Sequence, residues 1–177
     1  LIYSQYRALL SEYPELKLRI YEADSTIIMN SVLNGTLEPD VFVVAMDIGD
    51  MVYCDLVEQK YSSYTIYEDH LSVAVAANHE ALDANTRKNG ISGKNISNFR
   101  FGFCSIGKNN HNLIMQLLFQ HSLTTNANVF VQNSGDIYRL VKDGTCAAVI
   151  PGISEESYRQ NGLCVVPFRD KISIVYR

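Results

Sequence analysis

The sequence lacks the features that mark several large classes of protein. Its longest apolar runs, residues 41–46 and 71–77, are far shorter than the roughly 20 residues that cross a membrane, and no signal peptide is visible. No Cys-x-x-Cys pair and no low-complexity tract occur. The net charge is −4, whereas a module that binds DNA by itself is usually basic. We therefore do not expect a membrane protein. We also do not expect this segment to be the part of a protein that binds nucleic acid.

Cysteine and histidine are sparse, and their spacing carries no metal signature. The four cysteines (Cys54, Cys104, Cys146, Cys164) fit neither a zinc site nor a disulfide framework. Cys146 and Cys164 lie in apolar, strand-like runs, as buried thiols do, and this pattern favours a reducing, cytoplasmic compartment. The four histidines show no i, i+4 pairing, so neither a metal site nor another cofactor is predicted.

A repeated unit is the most informative feature that is present. A strand–turn–helix–strand pattern occupies residues 18–44 and recurs at 129–150, with Ser25 matching Ser134 and Gly35 matching Gly144. In each copy a polar residue ends the strand and caps the helix, and a glycine stops the helix. Ligands bind beyond the carboxyl ends of parallel strands, where helix N-termini point. The repeat indicates two small lobes across a cleft, or alternatively two ordinary βαβ units in one α/β domain.

Hydrophobic periodicity places the remaining elements. Beside the repeat, it predicts helices at 1–13, 96–99, 113–121 and 155–159, and extended segments at 64–67, 71–77, 100–104, 163–166 and 172–176. Within the first copy, residues 17–21 alternate like a strand, and 41–46 read as a buried parallel strand. Residues 78–92 form a polar stretch. Strands that alternate with helices predict a mostly parallel α/β layout.

A series of short motifs follows one another in a characteristic order: Tyr13-Pro14, Glu22-Ala23-Asp24-Ser25, Leu33-Asn34-Gly35-Thr36-Leu37, the run 71–82, Asn133-Ser134, and 140–151. Their order and spacing resemble the effector-binding domain of LysR-type transcriptional regulators over essentially the whole chain. Two positions depart from that family's pattern: Glu80-Ala81 replaces its Pro-Leu after His79, and Pro39 is inserted into the turn before the strand at 41–46.

The resemblance implies a type 2 periplasmic-binding-protein fold, an α/β fold of two Rossmann-like lobes joined by crossing strands. Lobe one would be residues 1–70 with 168–177, and lobe two residues 71–167. The resemblance also implies that DNA is bound only by a helix-turn-helix domain outside this chain. The family's first strand is expected before Leu1 and its final helix after Arg177. This chain would then be the cytoplasmic sensor part of a longer protein.

The repeated strand-to-helix turns provide the candidate binding residues. Their hydroxyl groups and helix N–H groups favour a small, anionic effector. Simple helix capping, or a surface loop at 104–107, would explain the same residues. The predicted effector-binding residues are Ser25, Thr26, Ala45, Met46, Cys104, Ser105, Asn133 and Ser134.

Two helices carry apolar residues over more than one side. They are the segments 1–13 and 112–121. A helix that is apolar on more than one side must be covered by packing partners on two sides. In the resembled family these helices pack antiparallel against the same pair of a second subunit. We therefore expect a homodimer through them, with Leu118 in the contact. The alternative is that both faces are buried within one chain.

Two other functions fit the same pattern. A stand-alone solute-binding protein for transport would need a signal peptide or a lipid anchor. A small α/β enzyme would use Cys104 as a nucleophile with His111 or His121 as its base, although closeness in sequence does not make a triad.

Overall fold

The computed structural model describes residues 2–21, 23, 25–47, 60–104 and 113–176. The helices are α1 Ile2–Glu12, α2 Ser25–Leu33, α3 Ala84–Asn89, α4 Leu113–Gln120, α5 Ser134–Lys142 and α6 Glu155–Gln160. The strands are β1 Ala45–Asp47, β2 Tyr67–Ala76, β3 Arg100–Cys104, β4 Asn126–Val131, β5 Ala147–Pro151, β6 Leu163–Pro167 and β7 Ser173–Tyr176. Two short 3₁₀ turns lie at Ile96–Asn98 and Gly152–Ser154.

The long strand β2 belongs to two parts of the sheet. Its residues 67–70 pair antiparallel with β7, which in turn pairs with β1, and we call this part the small sheet. Its later residues pair antiparallel with β5 and β6, and β5 continues into the parallel strands β3 and β4. We call this second part the large sheet. The changeover in β2 falls between His70 and Leu71.

The α/β class is confirmed, but the mostly parallel layout is wrong. Only the β3–β4 and β3–β5 pairs are parallel among the described strands. The strand predicted at 41–46 is only Ala45–Asp47, and it runs antiparallel to β7. Val41 and Val43 are 83 % and 41 % exposed, so this apolar run is not buried on both faces as a central parallel strand would be.

The strand predicted at 17–21 does not form. These residues have no regular secondary structure, and their backbone makes no hydrogen bond with other described segments. Leu18 and Ile20 remain 38 % and 49 % exposed. Alternation of apolar residues alone does not make a strand, because the backbone also needs a neighbour to pair with.

The large sheet is covered on both faces. Val73 and Val75 of β2 join one apolar cluster, which includes Leu117 and Leu118 of α4. Ala74 between them joins the cluster on the opposite face, which α5 covers, as the alternation of side chains along a strand requires. Leu118 is only 1 % exposed. Its expected place in a subunit contact is therefore wrong, because the side chain faces the core of its own chain.

The second copy of the repeat is a true βαβ unit, since β4 and β5 both run parallel to β3, which lies between them. The helix stops are alike in both copies. Gly35 and Gly144 have φ of 74° and 75°, a left-handed conformation that glycine adopts without strain. Beyond each glycine, a backbone N–H donates to a carbonyl five residues earlier at 2.9 Å, Thr36 to Ser31 and Thr145 to Leu140.

Candidate functional site

One group of predicted binding residues lies at the carboxyl edge of the large sheet. Cys104, the last residue of β3, pairs with Val131, the last residue of β4. Two residues beyond Val131, Asn133 caps α5 by accepting the N–H of Asp136 at 2.9 Å. Ser134 begins that helix. The register therefore brings Cys104, Asn133 and Ser134 to the same edge, where the N-terminus of α5 adds a positive partial charge.

A second group lies where α2 meets the small sheet. Ser25 is the first residue of α2, and its Oγ accepts the backbone N–H of Ala45 at 2.9 Å. Thr26 follows it in the first turn and is half-buried. The hydroxyl of Ser25 thus joins the helix to β1, a role that the sequence did not indicate.

Met46 has a different environment from its neighbour Ala45. Its side chain is 7 % exposed and packs in the apolar cluster of Ile28, Met29 and Val32 on α2. Its expected place in an effector-binding cleft stays a prediction. Ser105 lies outside the described residues.

The small sheet and the large sheet approach each other at α4. Residues of this helix, which packs on the large sheet, come within 8 Å of residues of β1, measured between Cα atoms. Helix α4 therefore lies beside β1, the strand in which the N–H of Ala45 donates to Ser25. A single cleft shared by all eight predicted residues stays a prediction.

A polar network that the sequence did not reveal lies at the changeover of β2. Asp69 is 4 % exposed, and its Oδ2 accepts the N–H of Ile153 at 2.9 Å. Its Oδ1 accepts the N–H of His70 at 2.7 Å. The Nε2 of His70 lies 3.0 Å from Oε1 of Glu155 at the start of α6. A buried carboxylate with satisfied oxygens is a stable arrangement, whereas an unpaired one is costly.

The carboxylate of Glu155 accepts hydrogen bonds from side chains on two elements. The hydroxyl of Ser72 on β2 donates to Oε1. Nη1 of Arg159, on the same helix α6, lies 2.8 Å from Oε2. Burial acts to raise the pKa of the Glu155 carboxyl, but the hydrogen bonds from Ser72, Arg159 and His70, together with the charge of Arg159, outweigh burial and lower this pKa. The carboxylate form is thus the one that the network stabilises.

The family comparison decides between the candidate functions. The model of the LysR substrate binding domain matches residues 5–177. The chain belongs to the LysR substrate-binding domain family. No individually curated protein gives a significant match to the chain.

Solved structures similar to this LysR substrate-binding domain share its fold at low sequence identity. The effector binding domain of QuiR, in complex with shikimate, is 14 % identical with a TM-score of 0.63, covering 98 % of this chain and 77 % of that one. Full-length BenM is 17 % identical with a TM-score of 0.61, covering 99 % and 55 %. Full-length CbnR complexed with its target DNA is 13 % identical with a TM-score of 0.58, covering 99 % and 57 %. This chain spans little more than half of those full-length regulators.

These findings confirm the type 2 periplasmic-binding-protein-like fold of this LysR substrate-binding domain. They favour a ligand-sensing domain of a transcriptional regulator over a transport protein or an enzyme. The enzyme hypothesis rests on residues that the structure does not describe, the Cys104 side chain and His111, and on His121, which is exposed. Within the described residues, no three metal-ligating side chains cluster, and no helix there is long and apolar enough to cross a membrane.

Proposed function

We propose that this LysR substrate-binding domain binds a small anionic effector between two lobes and thereby controls DNA binding by the whole protein. The observation that carries the proposal is the position of α5, whose N-terminus follows β4 at the edge where Cys104 ends β3. A helix N-terminus at the carboxyl edge of a parallel sheet is a favourable place for an anion. The ligand of the similar QuiR domain, shikimate, is a carboxylate.

The lobes follow the changeover of β2. Lobe one comprises residues 1–70 and 168–177, and lobe two comprises residues 71–167. The pairing supports this division, because β2 leaves the small sheet after His70 and enters the large sheet at Leu71. The effector would contact the eight predicted residues from both lobes: Ser25, Thr26, Ala45, Met46, Cys104, Ser105, Asn133 and Ser134.

The DNA contact and the subunit contact of the whole protein are inferred from its family. CbnR is known in complex with its target DNA, and we infer that a helix-turn-helix domain outside this chain makes that contact here. Such a protein would work in the cytoplasm as a homodimer, with helices at 1–13 and 112–121 in the contact. Exposed Leu9, Leu10 and Phe119 on these helices support the dimer.

Binding of an anion is tested by adding a negative charge to the first turn of α2. A thermal-shift screen of small carboxylates, sulfate and phosphate first identifies ions that raise the melting temperature. Thr26→Asp should abolish that increase because the new carboxylate repels the ligand. The variant should still fold, since an acidic residue at a helix N-terminus is favourable.

The matched control is Asn30→Asp, which adds the same charge to an exposed position further along α2. It should leave the ligand-induced shift in melting temperature unchanged. If anions fail to stabilise the wild-type domain while cations or large apolar compounds do so, the proposed ligand class is wrong.

A further inference from the structure

Side-chain contacts cross the changeover of β2. The backbone of Asp69 and His70 pairs with β7 in the small sheet. Their side chains, however, bond to the segment after β5 in the large sheet. The carboxylate of Asp69 accepts the N–H of Ile153, and Nε2 of His70 lies 3.0 Å from Glu155. The two sheets are therefore joined here by side chains as well as by the shared strand.

The members of this network differ in how freely they can move. Asp69 and Ser72 are 4 % and 0 % exposed, so breaking their hydrogen bonds would leave buried polar atoms unpaired. The side chain of His70 is 41 % exposed. If His70 turns to solvent, Glu155 keeps its contacts with Ser72 and Arg159. His70 is thus the member that can be released at low cost.

The backbone around His70 is shaped to receive its ring. A Cβ at Gly152 would lie 2.5 Å from Cε1 and 2.7 Å from Nδ1 of His70, and it would also collide with Oδ1 of Asp69. Glycine at this position lets the turn after β5 approach the changeover closely. The ring is held between this backbone and Glu155.

We propose that the contact between His70 and Glu155 is a hinge latch that sets the angle between the small and large sheets. When the contact is made, β2 is fixed on both sides of its changeover. When it is released, the buried hydrogen bond from Ile153 to Asp69 is kept as the pivot, and the small sheet turns about residues 69–71 while its backbone pairing with β7 remains. This device goes beyond the proposed ligand binding, because it operates in the absence of a ligand. The contact is partly exposed, so its contribution is modest and its loss should shift the balance between the two states rather than abolish one of them.

The test measures the distance between the two parts directly. Spin labels are introduced as non-canonical amino acids at Asn30 on α2 and Lys142 on α5, both exposed, so the native cysteines stay in place. Electron resonance then gives the distance distribution in the intact protein. His70→Phe keeps a ring against Gly152 but loses the contact with Glu155, and it should raise the open population about fivefold, which is about 1 kcal/mol.

Two further variants make the result specific. His70→Gln retains a donor that can reach Glu155, and it should return the distribution toward that of the wild type. His121→Phe makes the same substitution at an exposed histidine outside the network and should have no effect. If His70→Phe fails to fold, His70→Asn, which is too short to reach Glu155, replaces it. A variant that loses stability while its distance distribution stays as in the wild type would overturn the proposal.

Discussion

At the scale of single residues, the absence of a Cβ atom at Gly152 lets the turn after β5 lie against Asp69 and His70 at the hinge. We expect Gly152→Ala to destabilise the protein by about 1–3 kcal/mol, the usual cost of overpacking. The new Cβ would meet the carboxylate of Asp69, which is 4 % exposed and cannot move aside, and the ring of His70. Urea unfolding followed by circular dichroism measures the change.

The control for this substitution is Gly93→Ala. A Cβ there would lie 3.8 Å from the nearest side-chain atom, in Leu123, which is ordinary van der Waals distance. We expect its free energy of unfolding to stay within about 0.5 kcal/mol of the wild type. Equal destabilisation by the two substitutions would show that close approach at Gly152 is not the cause.

Glu155 predicts a pH dependence of stability. Because its pKa is lower in the folded protein than the ordinary value of 4.5, the carboxylate adds stability above the unfolded-state pKa. This contribution is lost as the pH falls through the folded-state pKa. Between about pH 6 and about pH 3, Glu155→Gln should therefore lose less stability than the wild type. Urea unfolding across that range measures the difference.

Glu156→Gln serves as the control for the pH experiment. It removes a carboxylate from the same helix, but Glu156 is exposed and bonds only to Gln160 in the described contacts. It should follow the wild-type profile. A Glu155→Gln profile that runs parallel to the wild type down to low pH would contradict the stabilised carboxylate.

At the scale of elements, α5 depends on its cap. Asn133→Ala removes the side chain that accepts the N–H of Asp136, and it should lower the free energy of unfolding by about 1 kcal/mol. Asn133→Ser keeps a capping oxygen and should restore most of this loss. Gln132→Ala, at the exposed residue before the cap, should be close to neutral. If Asn133→Ala is equally neutral, the cap does not stabilise α5.

Local sequence signals predicted most helices because their apolar periodicity and their caps lie within one stretch of chain. Helix α3 was missed, although Asp83 caps it by accepting the N–H of Thr86 at 2.6 Å and Gly90 ends it with φ of 79°. Those two signals were present, but the helix has only six residues and no apolar stripe. A capping residue and a terminating glycine without apolar periodicity indicate a helix less strongly than periodicity does.

Strand pairing was harder to predict because it depends on distant residues. β1 pairs with β7, more than a hundred positions later, so nothing near residues 41–46 indicates its antiparallel direction. The hinge network has the same origin, since Asp69 and Ile153 are 84 residues apart. In contrast, the edge that holds Asn133 and Ser134 follows from a local βαβ pattern, and the sequence predicted it.

At the scale of the whole molecule, exposed apolar side chains predict the dimer contact. Phe119 on α4 is 82 % exposed, and Leu10 on α1 is 42 % exposed. Phe119→Glu should weaken the dimer about thirtyfold, because a buried aromatic anchor at an interface is worth about 2 kcal/mol or more. Sedimentation velocity over a range of protein concentrations gives the dissociation constant.

The adjacent Gln120→Glu adds the same charge to an exposed residue of α4 and should change the dissociation constant far less. Leu118→Glu is not a valid probe, because Leu118 is 1 % exposed and the charge would disrupt the core. A protein that is monomeric at tens of micromolar, or a dimer indifferent to Phe119→Glu, would count against this surface.

The pairing of β7 with β1 and β2 has a consequence during synthesis on the ribosome. β1 and the first half of β2 cannot complete the small sheet until residues 173–176 have emerged. At about 5–20 residues per second, β1 waits on the order of ten seconds for its partner. During this time the edge of β2 that pairs with β7 is open in the nascent chain, and unpaired strand edges are prone to aggregation.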